Sequence, residues 1–308
     1  MITISLSEIE GFLVGHEEDR VAKTGCTAIL CPEGAIASAY TPGFAPGSRE
    51  MDLLRPSGLI PAIHGLLLSG GSAFGLAAAT GVVNFLLAKG VGFPTGPIRV
   101  PIVPSAVIYD YPANQSKGLL PDERMGYLAA SNASHAPLNS GPFGAGYSAV
   151  SGKLGGEALS SPSGLGSYGQ VGKTGLMMAA LAVVNPLGSV VNHKTGEIIS
   201  GLKRPEGGLA DRKDILSTLE LAENLQPGNT VLVVVGTNAQ IDKLGAYRLA
   251  RLASCGIARA IYPSHLLSDG DTVFALSSGV GPRADLSYLG ALAADLVSEA
   301  IVRSVPKH

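Results

Sequence analysis

The sequence predicts a single α/β domain in which helices cover stacked sheets. Three observations carry this. Strand-like and helix-like segments interleave along all 308 residues, without the strict strand-helix-strand rhythm of a doubly wound fold. Apolar residues make up 46% and charged residues 15%, enough for a large core and unlike a disordered chain. The 41 glycines follow no fixed period, so they favour tightly packed layers over collagen or linker. No composition shift and no internal repeat mark a boundary, so residues 1–308 read as one domain.

Taken in order, residues 1–50 read as short strands and turns: GCTAILC, GAIASAY, then TPGFAPGSRE. AIHGLLLSGG opens the next segment as an apolar strand. From Ser72 to Lys89 the chain is Ala-rich with helical periodicity, and Gly90 is placed to cap its end. VPIVPSAVIYDYP is a strand candidate ended by Pro112, and MGYLAASNAS looks helical. Asn139 to Gly175 is dense in Gly and Ser and reads as loop. LMMAALAVVNPLGSVVN reads as a buried strand and RKDILSTLELAENL as an amphipathic helix. TVLVVVGTN is a strand, QIDKLGAYRLARLASCGIARAI a helix, TVFALSSG a strand and SYLGALAADLVSEAIVRSV the final helix.

Bulk properties narrow the function. Net charge is −2, and the few Lys and Arg are scattered, so no nucleic-acid partner is expected. No apolar run reaches the roughly 18 residues of a membrane span, and the N-terminus has no basic flank of a signal peptide; a cytoplasmic protein without membrane contact is expected. Cys26, Cys31 and Cys255 lack C-x-x-C spacing and a companion His cluster. They read as buried core thiols, and neither metal nor cofactor is expected.

Several motifs fail on spacing. QVGKTG around Lys173 is close to a phosphate-binding loop, but that loop needs Gly at position 167, where Ser167 stands. Lys173 is better read as a solvated loop charge. SGGSAFG is close to a nucleophile elbow, but Phe74 occupies the place of its second Gly. Ser72 is then an N-cap, and none of His16, His64, His135, His193, His265 and His308 stands out as its partner. His64, in an apolar segment, reads as a core histidine. SDGDT holds Asp269 and Asp271 two residues apart, on one face of an extended chain. From spacing alone they would be a solvated turn.

Thr230 asks for another chemistry. It stands at the first step of an apolar strand, after Asn229 and the turn residues Pro227-Gly228. A Thr hydroxyl is a weak nucleophile and needs a base. A cut before Thr230 would supply one: its own α-amine, whose pKa of about 7.7–8.0 suits general-base work. The alternative is a turn before a strand.

Seven segments decide between them: GCTAILCPEGAIASAYTPGFAPGSREMDLL, LLLSGGSAFGLAAATGV, VPIVPSAVIYD, GAGYSAVSGKLGG, LAVVNPLGSVV, PGNTVLVVVGTN and LSDGDTVFAL. In content and order the chain resembles the self-processing N-terminal-nucleophile hydrolases. That family includes the L-aminopeptidase/D-esterases, the β-peptidyl aminopeptidases and the endo-type nylon-oligomer hydrolase. The resemblance implies a four-layer αββα sandwich, shared with the ornithine acetyltransferase type. It implies self-cleavage of the Asn229-Thr230 bond into an α chain of residues 1–229 and a β chain of residues 230–308, which stay associated. Thr230 would be the nucleophile and Asn185 an oxyanion donor, a role worth roughly 3–4 kcal/mol. Tyr109 would lie near the reacting centre, and Lys153 would line the site as in the nylon-oligomer branch. Asp269 and Asp271 would orient the Thr amine and hydroxyl. The substrate would be a small amide or peptide, including nylon-type oligoamides, and the assembly a homotetramer. Aminopeptidase members carry Glu where this chain has Val107, which leaves a substrate ammonium without a counter-charge. Aminopeptidase/esterase action on amino-acid amides, acyl transfer and an uncleaved binding protein are the alternatives.

Overall fold

Two sheets share one long strand. The computed structural model describes residues 2–111, 120–222 and 228–306. Its main sheet has ten strands: β1 (Ile2–Ile4), β2 (Leu13–Asp19), β3 (Thr24–Tyr40), β4 (Ser48–Arg49), β5 (Ile63–Ser69), β6 (Ser105–Val107), β7 (Leu165–Val171), β8 (Met177–Asn185), β9 (Thr230–Thr237) and β10 (Thr272–Ser277). They run in the order β1-β7-β8-β9-β10-β3-β5-β6-β4, with β2 also on β3. The 17 residues of β3 join both expected strands, GCTAILC and GAIASAY. Its register shifts between Leu30 and Ala35, around Pro32 and a left-handed Gly34 at φ 85°. A bulge there bends the strand from one sheet into the other, which is why the same residues read as a break.

Alternation sorts the side chains into layers. Leu181, Val183, Leu232, Val234, Phe274 and Leu276 share one buried cluster with Ile29, Leu66 and Leu68. That cluster lies between the sheets. Their neighbours Ala180, Ala182, Val231, Val233, Val235, Val273 and Ala275 face the opposite way. They pack against α4 (Lys243–Ala253), α5 (Cys255–Ala260) and α6 (Leu286–Arg303). On the other sheet, Cys26, Ala28, Leu30 and Leu67 meet α1 (Ala78–Ala88) and α2 (Glu123–Ser131). The layers are therefore helix, sheet, sheet, helix, the αββα sandwich. Among the described residues the remaining α-helix, α3 (Arg212–Glu220), packs Ile215 into a small satellite cluster.

Caps and glycines set the helices. The carboxylates of Asp122, Asp211, Asp242 and Asp285 accept first-turn N–H groups of α2, α3, α4 and α6, each typically worth about 1 kcal/mol. Gly90 closes α1 at φ 70° with its N–H on the Leu87 carbonyl. Helices α1 and α2 approach so closely that a Cβ at Gly126 would stand 2.7 Å from the Ala78 carbonyl carbon, and one at Gly81 2.5 Å from the Tyr127 nitrogen.

Several expectations change. Residues 139–175 are not all loop, since β7 lies within them. Its small residues conceal a strand whose Gly169 abuts Ala179 on β8. Of the segment around residues 100–112, Ser105–Val107 joins the main sheet and Arg99–Val100 forms a small hairpin with Phe93–Pro94. Pro101 and Pro104 have no N–H for a ladder. The long helix of residues 240–261 is two, α4 and α5. Ser72 is not an N-cap: Gly71 holds that place, no side chain caps the turn, and Ser72 itself has φ 54°. Cys26 and Cys31 are buried, and burial pushes both thiols up to about 12, but Cys255 is exposed. His64 is a core histidine accepting the Ile102 N–H at 3.3 Å. Lys173 is exposed in the β7–β8 turn. Pro112, Gln226, Pro227 and His308 lie outside the described residues.

Candidate active site

Topology brings three strand ends together. Strand β9 is antiparallel to β8, so Thr230 at its start pairs with Asn185 at the end of β8. It is parallel to β10, so the segments leading into both strands run side by side and Asn229 bridges to Asp269. Because Val231 and Val184 face the helices, alternation turns Thr230 and Asn185 toward the space between the sheets. Both are buried, at 5% and 1% exposed.

The peptide before Thr230 is held on its carbonyl. The Thr230 hydroxyl donates to the Asn229 carbonyl oxygen at 2.6 Å, and the Gly270 N–H donates to the same oxygen at 2.7 Å. Two donors polarise this carbonyl, one of them the hydroxyl that could attack it. Gly270 has to be glycine, because a Cβ there would stand 2.8 Å from Thr230 Oγ1. Its loop is pinned by the Phe44 and Ala45 N–H groups, which donate to the Asp269 carbonyl at 2.8 and 2.9 Å.

The two carboxylates divide the work. Asp271 Oδ1 accepts the Val231 N–H at 2.7 Å, one residue past the hydroxyl, and its Oδ2 lies 2.7 Å from His265 Nδ1. Asp269 Oδ2 accepts the Leu266 N–H at 2.8 Å. Its Oδ1 is buried and has no hydrogen-bond partner. Such an atom is costly to leave alone and marks a place for a donor. Burial, and then the charge of Asp271, pushes Asp269 up to about 7. Burial alone would lower His265, but the bond to Asp271 and its charge outweigh that and raise it.

Lys153 and Asn185 sit on the other side. Lys153 Nζ donates to the Gly228 carbonyl at 2.8 Å and the Asn185 carbonyl at 2.9 Å. Burial brings its amine down to about 7 against the opposing pull of Asp269, Asp110 and Asp271. Asn185 is oriented at both ends of its amide. Its Oδ1 accepts the Val150 N–H at 3.1 Å, while its Nδ2 donates to the Tyr109 carbonyl at 2.9 Å and lies 3.5 Å from the Gly228 carbonyl. In the continuous chain the Asn229 carbonyl is thus served by Gly270 rather than by Asn185. Tyr109 lies with its ring beside Gly228 and is 38% exposed.

All six expected side-chain positions, Thr230, Asn185, Asp269, Asp271, Lys153 and Tyr109, therefore fall in one place with the Asn229-Thr230 peptide. Three contributors escaped sequence reasoning. His265 was one histidine of six, though its place four residues before Asp269 was a signal. Gly270 was read only as part of a turn. Asp110 is buried beside Tyr109, accepting the Gly71 N–H at 2.6 Å and the Thr24 hydroxyl at 2.7 Å; burial raises it. Among the described residues no group of three or more His, Cys, Asp or Glu side chains is placed to hold a metal ion.

Comparison with known proteins shows the family and the fold. The family model described as Peptidase family S58 matches residues 5–307. An uncharacterised aminopeptidase of Mycobacterium tuberculosis H37Rv is 34% identical, over 98% of this chain and 93% of that protein. A 6-aminohexanoate-oligomer endohydrolase of Kocuria sp. KY2 is 29% identical, over 96% of this chain and 84% of the enzyme. Among solved structures, the L-aminopeptidase D-Ala-esterase/amidase from Ochrobactrum anthropi, described as a variant of the Ntn-hydrolase fold, superposes with a TM-score of 0.72. It is 18% identical, with 98% of this chain and 86% of that one covered. A Burkholderia sp. β-aminopeptidase gives a TM-score of 0.67 at 19% identity, covering 97% and 85%. These two likenesses are of fold.

Proposed function

We propose, for a chain that belongs to peptidase family S58, that this amide-bond hydrolase matures by cutting its own Asn229-Thr230 bond and then uses Thr230 as an N-terminal nucleophile. The observation that carries the reading is the Asn229 carbonyl oxygen, held at once by the Gly270 N–H and the Thr230 hydroxyl. Thr230 Oγ1 attacks the Asn229 carbonyl carbon, the C–N bond breaks, and the acyl group moves from nitrogen to oxygen as an ester. Water hydrolyses the ester, leaving a carboxylate on Asn229 and a free α-amine on Thr230.

In the mature enzyme that amine takes the proton of Thr230 Oγ1 as the hydroxyl attacks a substrate amide. Asp269 Oδ1, unpartnered in the continuous chain, is the acceptor that the amine requires. Asp271 fixes the first step of β9 through the Val231 N–H. The Gly270 N–H and the Asn185 amide stabilise the oxyanion. The leaving amine departs with the amine's proton, an acyl-enzyme remains, and water clears it. The substrate is a small peptide or oligoamide, a class supported by relatives named as an aminopeptidase and a 6-aminohexanoate-oligomer endohydrolase. A cytoplasmic location is supported by three free cysteines. Among the described residues no helix is long and apolar enough to cross a membrane. The direct test is amine labelling and peptide mapping of the purified protein. A labelled α-amine on Thr230 supports the reading, and label at Met1 alone contradicts it.

A further inference from the structure

The continuous chain carries a peptide through its own candidate site, and how that peptide is held describes what the site accepts. Asn229 provides the carbonyl to be attacked. One residue upstream, the Gly228 carbonyl receives the Lys153 ammonium at 2.8 Å, with the Asn185 amide at 3.5 Å. The Gly228 Cα lies against Tyr109. A Cβ there would stand 2.9 Å from Tyr109 Cδ1, 3.0 Å from Cγ and 3.2 Å from Cβ, and Gly228 has φ 122°, where L side chains are strained. Its cradle thus combines a cationic donor for a carbonyl with a flat aromatic wall that excludes an α-substituent. After the cut, the Gly228-Asn229 end is a product that must leave this cradle before a substrate can enter.

We propose that Lys153 and Tyr109 form a subsite for an amide carbonyl one residue upstream of the scissile bond, borne on an unbranched acyl unit. The inference rests on Thr230 being the nucleophile. It makes the enzyme selective for substrates whose amine is already acylated, and within those for an acetyl, glycyl or similar unbranched group at the upstream position. A free α-amine at that place offers no carbonyl oxygen to the Lys153 Nζ–H donors. Among the described residues no buried carboxylate is free to compensate: the Asp110 oxygens are taken by the Gly71 N–H and the Thr24 hydroxyl. Val107, two residues before Tyr109, is apolar and buried at 4% exposed. Both oxygens of Asp271 are already engaged, by the Val231 N–H and His265. Asp269 Oδ1 serves the Thr230 amine in the mechanism above.

The test uses purified, self-processed wild type and four p-nitroanilides with asparagine as the acyl residue: free asparaginyl, N-acetyl-asparaginyl, N-acetyl-glycyl-asparaginyl and N-acetyl-L-alanyl-asparaginyl. The expected kcat/KM of the acetylated substrate exceeds that of the free amine by about tenfold or more, the size of one hydrogen bond to a charged group. The glycyl substrate exceeds the alanyl one by a similar factor. Lys153→Met removes the acetyl advantage mainly through KM; if that variant does not process itself, the wild-type ratios decide alone. A free amine that matches or beats the acetylated substrate overturns the subsite, as does an alanyl substrate equal to the glycyl one. If Thr230 is exposed by processing and other amides are cleaved but none of these four is, the subsite is wrong and the hydrolase stands. If Thr230 is never exposed and nothing is cleaved, the nucleophile reading fails and this inference with it.

Discussion

At the scale of residues, the site is a balance of buried charges. Asp269, Asp271 and Asp110 are within 3% of full burial, and the cations that answer them are Lys153 and His265. Asp269 is held near 7 by burial and by Asp271. It is therefore mostly protonated well below pH 7 and mostly ionised well above it. Only the ionised form accepts from an α-ammonium at both oxygens. Amidase activity of the processed enzyme is thus expected to rise as pH passes upward through the Asp269 titration, which the Thr230 ammonium freed by the cut draws below its place in the continuous chain. Asp269→Asn, whose amide does not titrate, loses most activity and the inflection with it. A pH profile that keeps the inflection in that variant would assign it to another group, with Lys153 the first alternative, since burial brings its amine down to about 7.

At the scale of elements, function follows from strand direction. A parallel neighbour on one side of β9 and an antiparallel one on the other bring Asp269, Asp271 and Asn185 to its first residue. The apolar alternation of β8, β9 and β10 was legible because each strand buries both faces in runs of Val, Leu and Ala. β7 was not, because LGSYGQV pairs small residues against β8 and α6. Helix packing is set by glycine in the same manner. Gly126 faces the backbone of Ala78 with no room for a methyl group. In an uncut Thr230→Ala background, Gly126→Ala is expected to destabilise by about 1–3 kcal/mol, the usual cost of overpacking. Urea unfolding would show a lower midpoint at unchanged slope. An unchanged midpoint would mean that α1 and α2 can separate freely.

At the scale of the whole molecule, the expected cut runs through the middle of the sheet without opening it. β9 and β10 belong to residues 230–308, yet they are flanked by β8 and β3 of residues 1–229. Helices α4 to α6 also lie on β8 through the shared apolar cluster. Both pieces should therefore stay together in native buffer. Light scattering of processed protein should read a whole multiple of 31.3 kDa. Separate fragments in native buffer would contradict the interleaved core. Layer order, and the gathering of the six expected side chains around the Asn229-Thr230 peptide, were legible largely through the seven segments. His265, Gly270 and Asp110 were not, because their roles depend on which loop faces which, and spacing along the chain does not carry that.

The measurement that bears most directly on the central claim is the denatured intact mass of purified wild type beside Thr230→Ala. Two wild-type species, residues 1–229 and 230–308, and a single 31.3 kDa species for the variant are expected. An uncut wild type after prolonged incubation, or a Thr230→Ala protein cut at the same bond, would contradict that claim.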